Sequence, residues 1–353
     1  NRRSRGLGDV YKRQTKWYLL NKRVLPWRES KDPYKIWLCE IILQQTQIKQ
    51  GLPYYLKFIQ KYPTVFQLAN VDEDEILKDW QGLGYYSRAR NLHKTAQYVA
   101  NELNGVFPKN YKELVGLKGV GDYTASAIAS ICYEEPVAVL DGNVYRVLSR
   151  YFGINTPINS TNGTKEFKIL ATSLLPKKNI GDYNQAIMEF GALQCKPKSP
   201  NCKNCPIPSN CTALSTGNIQ KLPVKLKKNK ARKRYLNFLV FLNKNNETII
   251  EKRTQKGIWQ HLYQFPMIET SKSITVEELL LNLDFRQRKT KTFKNIELFN
   301  SNDIIHKLSH QELYIKFWKI NTNCHIGNMI NLKDVQNHAF PVVIAQFIKD
   351  FVY

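Results

Sequence analysis

Between residue 17 and about residue 212 the apolar positions recur at helical spacing, broken by short Gly, Pro and Asn interruptions, with few alternating β-branched runs. This portion reads as all-α. One stretch is apolar on nearly every side: Asp32 offers an N-cap, Pro33 a first-turn residue, and YKIWLCEIILQQTQI follows, which predicts a mostly buried helix running to Ile48. Further helices are predicted over 72–79, 87–103, 111–117, 122–132, 143–151, 165–175 and 183–193. Residues 215–234 are basic, carry no acidic residue and hold little apolar content, so they read as an extended connector. Beyond them the period changes. YLNFLVFLN and ETIIEKR read as strands around an Asn-rich turn and ELYIKFWKI as a later strand, while 276–283 and 340–351 read as helices. That makes an α+β domain, and no repeat of fixed period runs through the chain.

Length agrees with two cores, because 353 residues exceed what one usually supports. The opening NRRSRGLGDVYKRQ has no Met and no periodicity, so residues 1–14 read as a non-native scar outside the fold. The expected division is then 15–214 for the helical domain, 215–234 for the linker and 235–353 for the second domain. A formal charge of +24 implies a polyanionic partner, nucleic acid or an anionic membrane. No apolar run reaches the roughly 18 residues of a spanning helix and no secretory signal is apparent, which favours a cytosolic protein among nucleic acids over a membrane one. Seven cysteines, an odd number, argue for a reduced compartment rather than a disulfide framework.

Four of those cysteines, Cys195, Cys202, Cys205 and Cys211, follow the spacing C-x6-C-x2-C-x5-C with Pro197, Pro200, Pro206 and Pro208 between them. Four soft ligands so close suit zinc or an iron–sulfur cluster. Structural zinc sites usually show two tight pairs, and here only Cys202 and Cys205 form one. The 6-2-5 spacing resembles the [4Fe-4S] loop of the endonuclease III superfamily. In GLKGVGDYTASAIASI, Gly119, Val120 and Gly121 lie between two helical patterns, where free amides at the next helix start suit a phosphate oxygen. This is similar to the second half of a helix-hairpin-helix motif, although an ordinary tight αα turn has the same local pattern.

Two carboxylates invite acid–base chemistry. Glu40 lies in an apolar helix beside Trp37, Ile41 and Leu43, where desolvation favours a protonated carboxyl. Asp141 ends the run VAVL just before a helix starting near Asn143, where free amides favour the ionised form. Cleaving a purine N-glycosidic bond needs one of each, an acid for the departing base and an anion for the cationic sugar. A buried ion-pair partner and a plain N-cap are the structural alternatives.

Taken together, LPWR, DPYKIWLCEIILQQTQ, WQGLGYYSRARNLH, LKGVGDYTASAI, VLDGNVYRVLSR and NQAIMEFGALQC resemble the MutY-type adenine DNA glycosylases of the helix-hairpin-helix superfamily. The resemblance implies an all-α helix-hairpin-helix glycosylase domain with an iron–sulfur loop, plus a C-terminal α+β Nudix-like domain. Its implied activity is release of adenine mispaired with 8-oxoguanine or guanine in double-stranded DNA, by a monomeric bacterial enzyme of the cytoplasm and nucleoid, without membrane association. Glu40 becomes the general acid at adenine N7 and Asp141 the oxocarbenium stabiliser or nucleophile, with Asn143 in support. Arg28 and Gln185 would line the adenine pocket, Gln45 and Tyr85 would intercalate, and Gly119, Val120 and Gly121 would grip the DNA backbone. Tyr123 stands where strand-nicking relatives carry a Schiff-base Lys, so a monofunctional enzyme is expected. Leu308, Ser309 and His310, within HKLSH, match the loop that reads 8-oxoguanine, with Leu308 replacing the usual Phe. Gln260 and His261 also depart from the pattern, since small residues are common there, and Lys118 stands where the hairpin usually has Pro. A glycosylase for thymine or oxidised pyrimidines and a non-enzymatic DNA-binding protein are the competing readings. Tyr123 disfavours the oxidised-pyrimidine bifunctional enzymes, Glu40 disfavours thymine, and the intact carboxylates disfavour loss of activity.

Overall fold

Asp32 begins a mostly buried helix as its sequence predicts. It accepts from the Tyr34 N–H at 2.9 Å, with Pro33 in the first turn. In the computed structural model the described residues are 2–227, 231–282, 285, 293–323, 325 and 327–352. They divide into two units, Asn1–Asn70 with Asn91–Lys227, and Val71–Arg90 with Lys228–Tyr353. Each is described by itself.

The first unit is helical. It contains α1 (Arg2–Asn21), a 3-10 turn (Pro26–Glu29), α2 (Pro33–Leu43), α3 (Ile48–Lys61) and α4 (Val65–Asn70). After the segment that belongs to the other unit, which holds α5 (Glu73–Asp79), come α6 (Ser87–Glu102), α7 (Tyr111–Leu114), α8 (Asp122–Tyr133), α9 (Gly142–Phe152), α10 (Thr161–Ser173), α11 (Ile180–Leu193) and α12 (Thr212–Ser215). Trp37, Leu38 and Ile42 of α2 have no exposure, and a helix apolar on every side has to be covered on every side. It packs on α3 and α8, while α11 packs on α1, α8 and α9.

Three expectations change here. The helix from Pro33 stops at Leu43 instead of running to Ile48, because Gln45 takes a left-handed conformation (φ 57°) and the chain turns before α3. Residues 2–14, expected to lie outside the fold, are helical as the first part of α1. Once Tyr18 is buried and Trp17 meets the Phe190 ring edge-on at 5.2 Å, further turns cost little, since helix growth is easier than nucleation. The connector is also shorter than expected. Ile158 N–H donates to Val224 O, and Arg150 Nε donates to Ile219 O and Leu222 O, so residues 216–226 are held along the helical unit.

In the second unit the sheet runs β5 (Met267–Thr270), β1 (Arg232–Leu242), β8 (Gln311–Thr322), β6 (Phe293–Leu298), with β7 (Ile304–Lys307) also paired to β8. β1 and β8 are parallel, in register from Arg232 opposite Gln311 to Leu242 opposite Asn321. Both strands are central; β1 is buried continuously from Leu236 to Phe241, as a strand covered on both faces is, whereas β8 alternates, with Leu313, Ile315, Phe317 and Ile320 buried. Leu239, Phe241, Trp318 and Ile320 meet Leu279 of α13 (Val276–Leu281) in one core cluster. Elsewhere Phe317 stacks on Phe238 and, at 3.9 Å, on Phe347 of the closing helix Val342–Val352. Buried Asn237 is satisfied by Trp318 Nε1–H at 3.0 Å. The strand expected over ETIIEKR does not form a hairpin with β1. It is split into β2 (Glu247–Thr248) and β3 (Glu251–Lys252), which pair with β9 (Ile330–Asn331) and β4 (Tyr263–Gln264), because the parallel partner β8 and the antiparallel β5 already occupy both edges of β1. Among the described residues no helix is long and apolar enough to cross a membrane.

Gly181 marks the closest approach of α11 to α8: a Cβ there would lie 2.8 Å from Ser130 O and 2.9 Å from Ile131 Cα, both backbone atoms. Gly181→Ala should cost about 1–3 kcal/mol through overpacking. Chemical denaturation followed by far-UV circular dichroism will read it, and an unchanged midpoint would mean that the two helices separate freely.

Candidate active site

A cavity of about 490 Å³ opens in the helical unit, within the roughly 300–1,000 Å³ of small-molecule pockets. It gathers Arg28 from the 3-10 turn, Glu40 from α2, Gln45 from the turn that ends it, Tyr123 from α8, Asp141 and Asn143 at the start of α9, and Gln185 from α11. Seven residues singled out in the sequence therefore line one space.

Glu40 is near the end of α2, whose other late residues Cys39, Ile41 and Ile42 are buried. Burial is the largest influence on its carboxyl and, with a smaller contribution from the Asp141 charge, outweighs the Tyr123 hydroxyl and raises the pKa to about 7. The phenol itself is pushed well above its ordinary value, first by burial and then by the two carboxylates, and stays protonated. Tyr123 has one hydroxyl proton and two neighbours, Met188 Sδ at 3.4 Å and the Glu40 carboxyl. With Glu40 neutral, the acid donates to the phenol oxygen and the phenol proton goes to sulfur. With Glu40 ionised, the phenol has to turn towards it.

Asp141 is the N-cap of α9. Its Oδ1 accepts from the N–H groups of Asn143 (2.9 Å) and Val144 (2.7 Å), and its Oδ2 accepts from Asn143 Nδ2 (2.6 Å). Burial raises its pKa, against the donors of Val144 and Asn143 and the Arg146 charge, all of which favour the anion. Asn143 is fixed in turn. Its Oδ1 accepts from Arg146 Nη2 at 2.8 Å, and Arg146 also donates to Gly191 O (2.6 Å) and, through Nε, to Cys195 O (2.8 Å). A Cβ on Gly191 would fall 2.6 Å from Asn143 Cβ, so only glycine lets α11 come this close to the start of α9.

Sequence reasoning missed Glu189. It lies four residues after Gln185 and so on the same face of α11, a pairing visible in NQAIMEFGALQC. Its side chain is 1% exposed and lies between two guanidinium groups: Arg23 donates to both oxygens, at 2.9 and 2.5 Å, and so does Arg28, at 2.9 and 2.8 Å. Burial alone would raise its pKa, but the Arg23 and Arg28 bonds prevail and hold it at about 2. Arg28, expected to face a base, is thereby oriented at the cavity wall.

At the hairpin, Gly119 adopts φ 79° and its α-hydrogen side faces Asn91, where a Cβ would come within 2.7 Å. Val120 is buried, and Gly121 is the N-cap of α8. Gln44 Nε2 bonds to Thr124 Oγ1 at 3.2 Å and reaches Gly119 O at 3.5 Å, which ties the hairpin to the turn carrying Gln45. Cys195, Cys202, Cys205 and Cys211 surround a smaller cavity of about 40 Å³, with Arg150 Nη1 3.4 Å from Cys195 Sγ. Among the described residues no group of three or more His, Cys, Asp or Glu side chains is placed to hold a metal ion.

In the other unit, Tyr85 stands on a turn shaped by Gly82 (φ 103°) and Gly84 (φ 71°), and is itself left-handed at φ 47°. Arg88 holds that turn, donating to Leu83 O and Gly84 O with its guanidinium over the Trp80 and Tyr85 rings. Leu308, Ser309 and His310 form the tip between β7 and β8, closed by Leu308 N–H to Gln311 O. Tyr85 and Ser309 share a hydrogen bond of 2.6 Å at the rim of a cavity of about 560 Å³ that also includes Arg90, Trp259 and His306.

Residues 38–172 match the HhH-GPD superfamily of base excision DNA repair proteins, and residues 237–350 match the NUDIX domain. An adenine DNA glycosylase of Buchnera aphidicola subsp. Baizongia pistaciae is 37% identical over 94% of this chain and 93% of its own length. The chain belongs to the adenine DNA glycosylase family. A second Buchnera aphidicola glycosylase of the same name, from subsp. Schizaphis graminum, is 38% identical over 95% of this chain and 96% of its own. A solved thermostable thymine-DNA glycosylase, 30% identical, superposes with a TM-score of 0.57 over 61% of this chain and all of that one. The glycosylase thus joins a helix-hairpin-helix domain to a C-terminal Nudix-like domain that contains a sheet, as the sequence motifs imply. Glu40, Tyr123, Asp141 and Asn143 lie inside the first matched region and the 308–310 tip inside the second.

The Arg23–Glu189–Arg28 arrangement has a measurable consequence. Glu189→Ala leaves two guanidinium groups without their shared anion and should destabilise the glycosylase by about 3 kcal/mol, as breaking a buried pair does. Urea titration will measure it, and a variant as stable as the parent would show that the triad contributes nothing.

Proposed function

We propose that this glycosylase removes adenine mispaired with 8-oxoguanine or guanine in duplex DNA, by base flipping followed by acid-assisted hydrolysis with no covalent lyase step. The observation that carries this reading is the pairing, in one cavity, of a carboxyl pushed up to about 7 with a second one that accepts three N–H bonds. Glu40 enters the reaction protonated and gives its proton to adenine N7. The bond from N9 to the sugar then breaks with its electron pair leaving on the base. Positive charge grows on the sugar beside Asp141, which stabilises it or bonds to it, and water completes the hydrolysis while its proton returns to a carboxylate. Asn143 holds Asp141 in the orientation that faces the sugar. Tyr123, a phenol kept protonated, offers no amine for a Schiff base.

The remaining roles follow the same reading. Arg28 and Gln185 bind the extruded adenine, Gln45 and Tyr85 fill the space it leaves, and Gly119, Val120 and Gly121 present backbone amides to a phosphate. Leu308, Ser309 and His310 inspect the opposite base, Leu308 supplying a smaller apolar contact than an aromatic ring. The cysteine loop fits a [4Fe-4S] cluster: four thiols at 6-2-5 spacing line a common space, and a guanidinium beside Cys195 offsets thiolate charge. Bound there, a cluster supplies no electrons to a hydrolysis; Cys195, Cys202, Cys205 and Cys211 would use it to fix the loop. A DNA partner accounts for the +24 charge, and the enzyme works in the cytoplasm as a monomer.

Adenine release from an 8-oxoguanine:adenine duplex under single-turnover conditions tests the proposal. Glu40→Gln should lower the rate at least ~100-fold, the low end for a lost general acid. Because the protonated form of Glu40 is the active one, the parent's rate should fall about tenfold per pH unit above about 7. Adenine release that persists in Glu40→Gln, or that rises through neutral pH, contradicts the assignment.

A further inference from the structure

Trp259 and His261 flank Gln260 on a turn where both adopt a left-handed backbone. His261 has φ 67° and Trp259 φ 60°, conformations that disfavour an L side chain. A bulky residue persists in such a place when neighbouring contacts hold it there. For His261 those contacts reach the segment that carries Tyr85.

Arg90 Nη1 donates to Gln260 O at 2.7 Å, and Arg90 Nη2 approaches Gln260 Oε1 at 3.4 Å. That sets the Gln260 amide so that Nε2 faces His261 Nε2, 3.3 Å away, and His261 Nδ1 meets Glu73 Oε1 at 2.5 Å. One arrangement satisfies every group: guanidinium to amide oxygen, amide N–H to imidazole Nε2, imidazole Nδ1–H to carboxylate. Glu73 opens α5 and Arg90 lies in the first turn of α6, so the two ends of this chain of bonds bracket the turn at Tyr85. All these residues lie in the same unit as the 308–310 tip.

We propose that Gln260 and His261 form a brace that fixes the Tyr85 turn beside Ser309 and so sharpens the distinction between oxidised and normal guanine opposite the target adenine. They are positioning residues, since neither lines the cavity at Ser309. The strain at His261 is offset by the bond to Glu73, so the pair acts as a unit. Lys252 and Tyr263 bond Asp74 on the same helix, which limits what loss of the brace can undo. The proposal rests on the reading of the 308–310 tip as the 8-oxoguanine contact.

The experiment compares single-turnover adenine release from 8-oxoguanine:adenine and guanine:adenine duplexes for the parent, His261→Gly, Glu73→Ala, Glu73→Gln and the His261→Gly/Glu73→Ala double variant. His261→Gly relieves the backbone strain, so it should fold, yet it and Glu73→Ala should each lower the preference for the oxidised duplex ~5- to 10-fold, the effect of about one hydrogen bond. The double variant should lose no more than either single one. Glu73→Gln should stay within about twofold of the parent, because its amide oxygen still accepts from Nδ1–H. Amide exchange at residues 82–87 is the second readout and should quicken in His261→Gly and Glu73→Ala. Were the parent to show no preference for the oxidised duplex, the reading of the tip would fall, and quickened exchange alone would still support the brace. Unchanged exchange in both single variants, or additive losses of preference in the double variant, overturns it.

Discussion

Two carboxyl groups share one cavity, and the site depends on their not being equivalent. Burial penalises both anions, but Asp141 receives the greater compensation, from two backbone N–H groups and one amide at the start of α9. Glu40 receives one phenol and a nearby negative charge, so it retains its proton to about pH 7. The difference between acid and anion is thus set by where each side chain sits on its helix: Asp141 at an N-terminus rich in unpaired donors, Glu40 in the last turn of a helix whose own N–H groups are committed.

Much of the helical unit serves to hold that asymmetry. Arg146 joins Asn143, Gly191 and the carbonyl of Cys195, so the start of α9, the last turn of α11 and the start of the cysteine loop form one hydrogen-bonded set. Gly191 permits the approach and Arg146 fixes its direction. Glu189 draws Arg23 and Arg28 together at the cavity. The turns carrying Gln45 and Tyr85 follow a shared rule. Gln45 and Tyr85 each occupy the left-handed region, where a non-glycine residue is strained and needs its surroundings to hold it. Gln44 provides this on one turn and Arg88 on the other.

How much of this could be read from the chain varies with the kind of interaction. Helices with a cap and a clear apolar period, such as those beginning at Asp32 and Tyr111, were legible because their signals are local. So were the cysteine spacing and the apolar setting of Glu40, since Trp37, Cys39, Ile41 and Ile42 of its own helix are buried. The break at Gln45 was not legible: QQTQ has no Gly or Pro, and nothing local betrays a left-handed residue. The missing hairpin partner of β1 has a non-local cause, the parallel pairing with β8 some eighty residues away. Glu189 was hidden for a different reason. A buried acid on an apolar helix face is recognisable only when its two arginines, more than 150 residues earlier, are brought to it.

The account turns on the protonation state of one side chain, and that state can be observed without any turnover. Carboxyl ¹³C NMR titration of glutamate-labelled protein, compared with the same spectrum of Glu40→Gln, isolates the resonance of Glu40. A single glutamate signal with a midpoint near 7, absent from the variant, is the predicted result. A Glu40 resonance that titrates in the ordinary range around 4.5 would mean that the cavity does not keep the acid neutral, and the division of labour between the two carboxyl groups would be wrong.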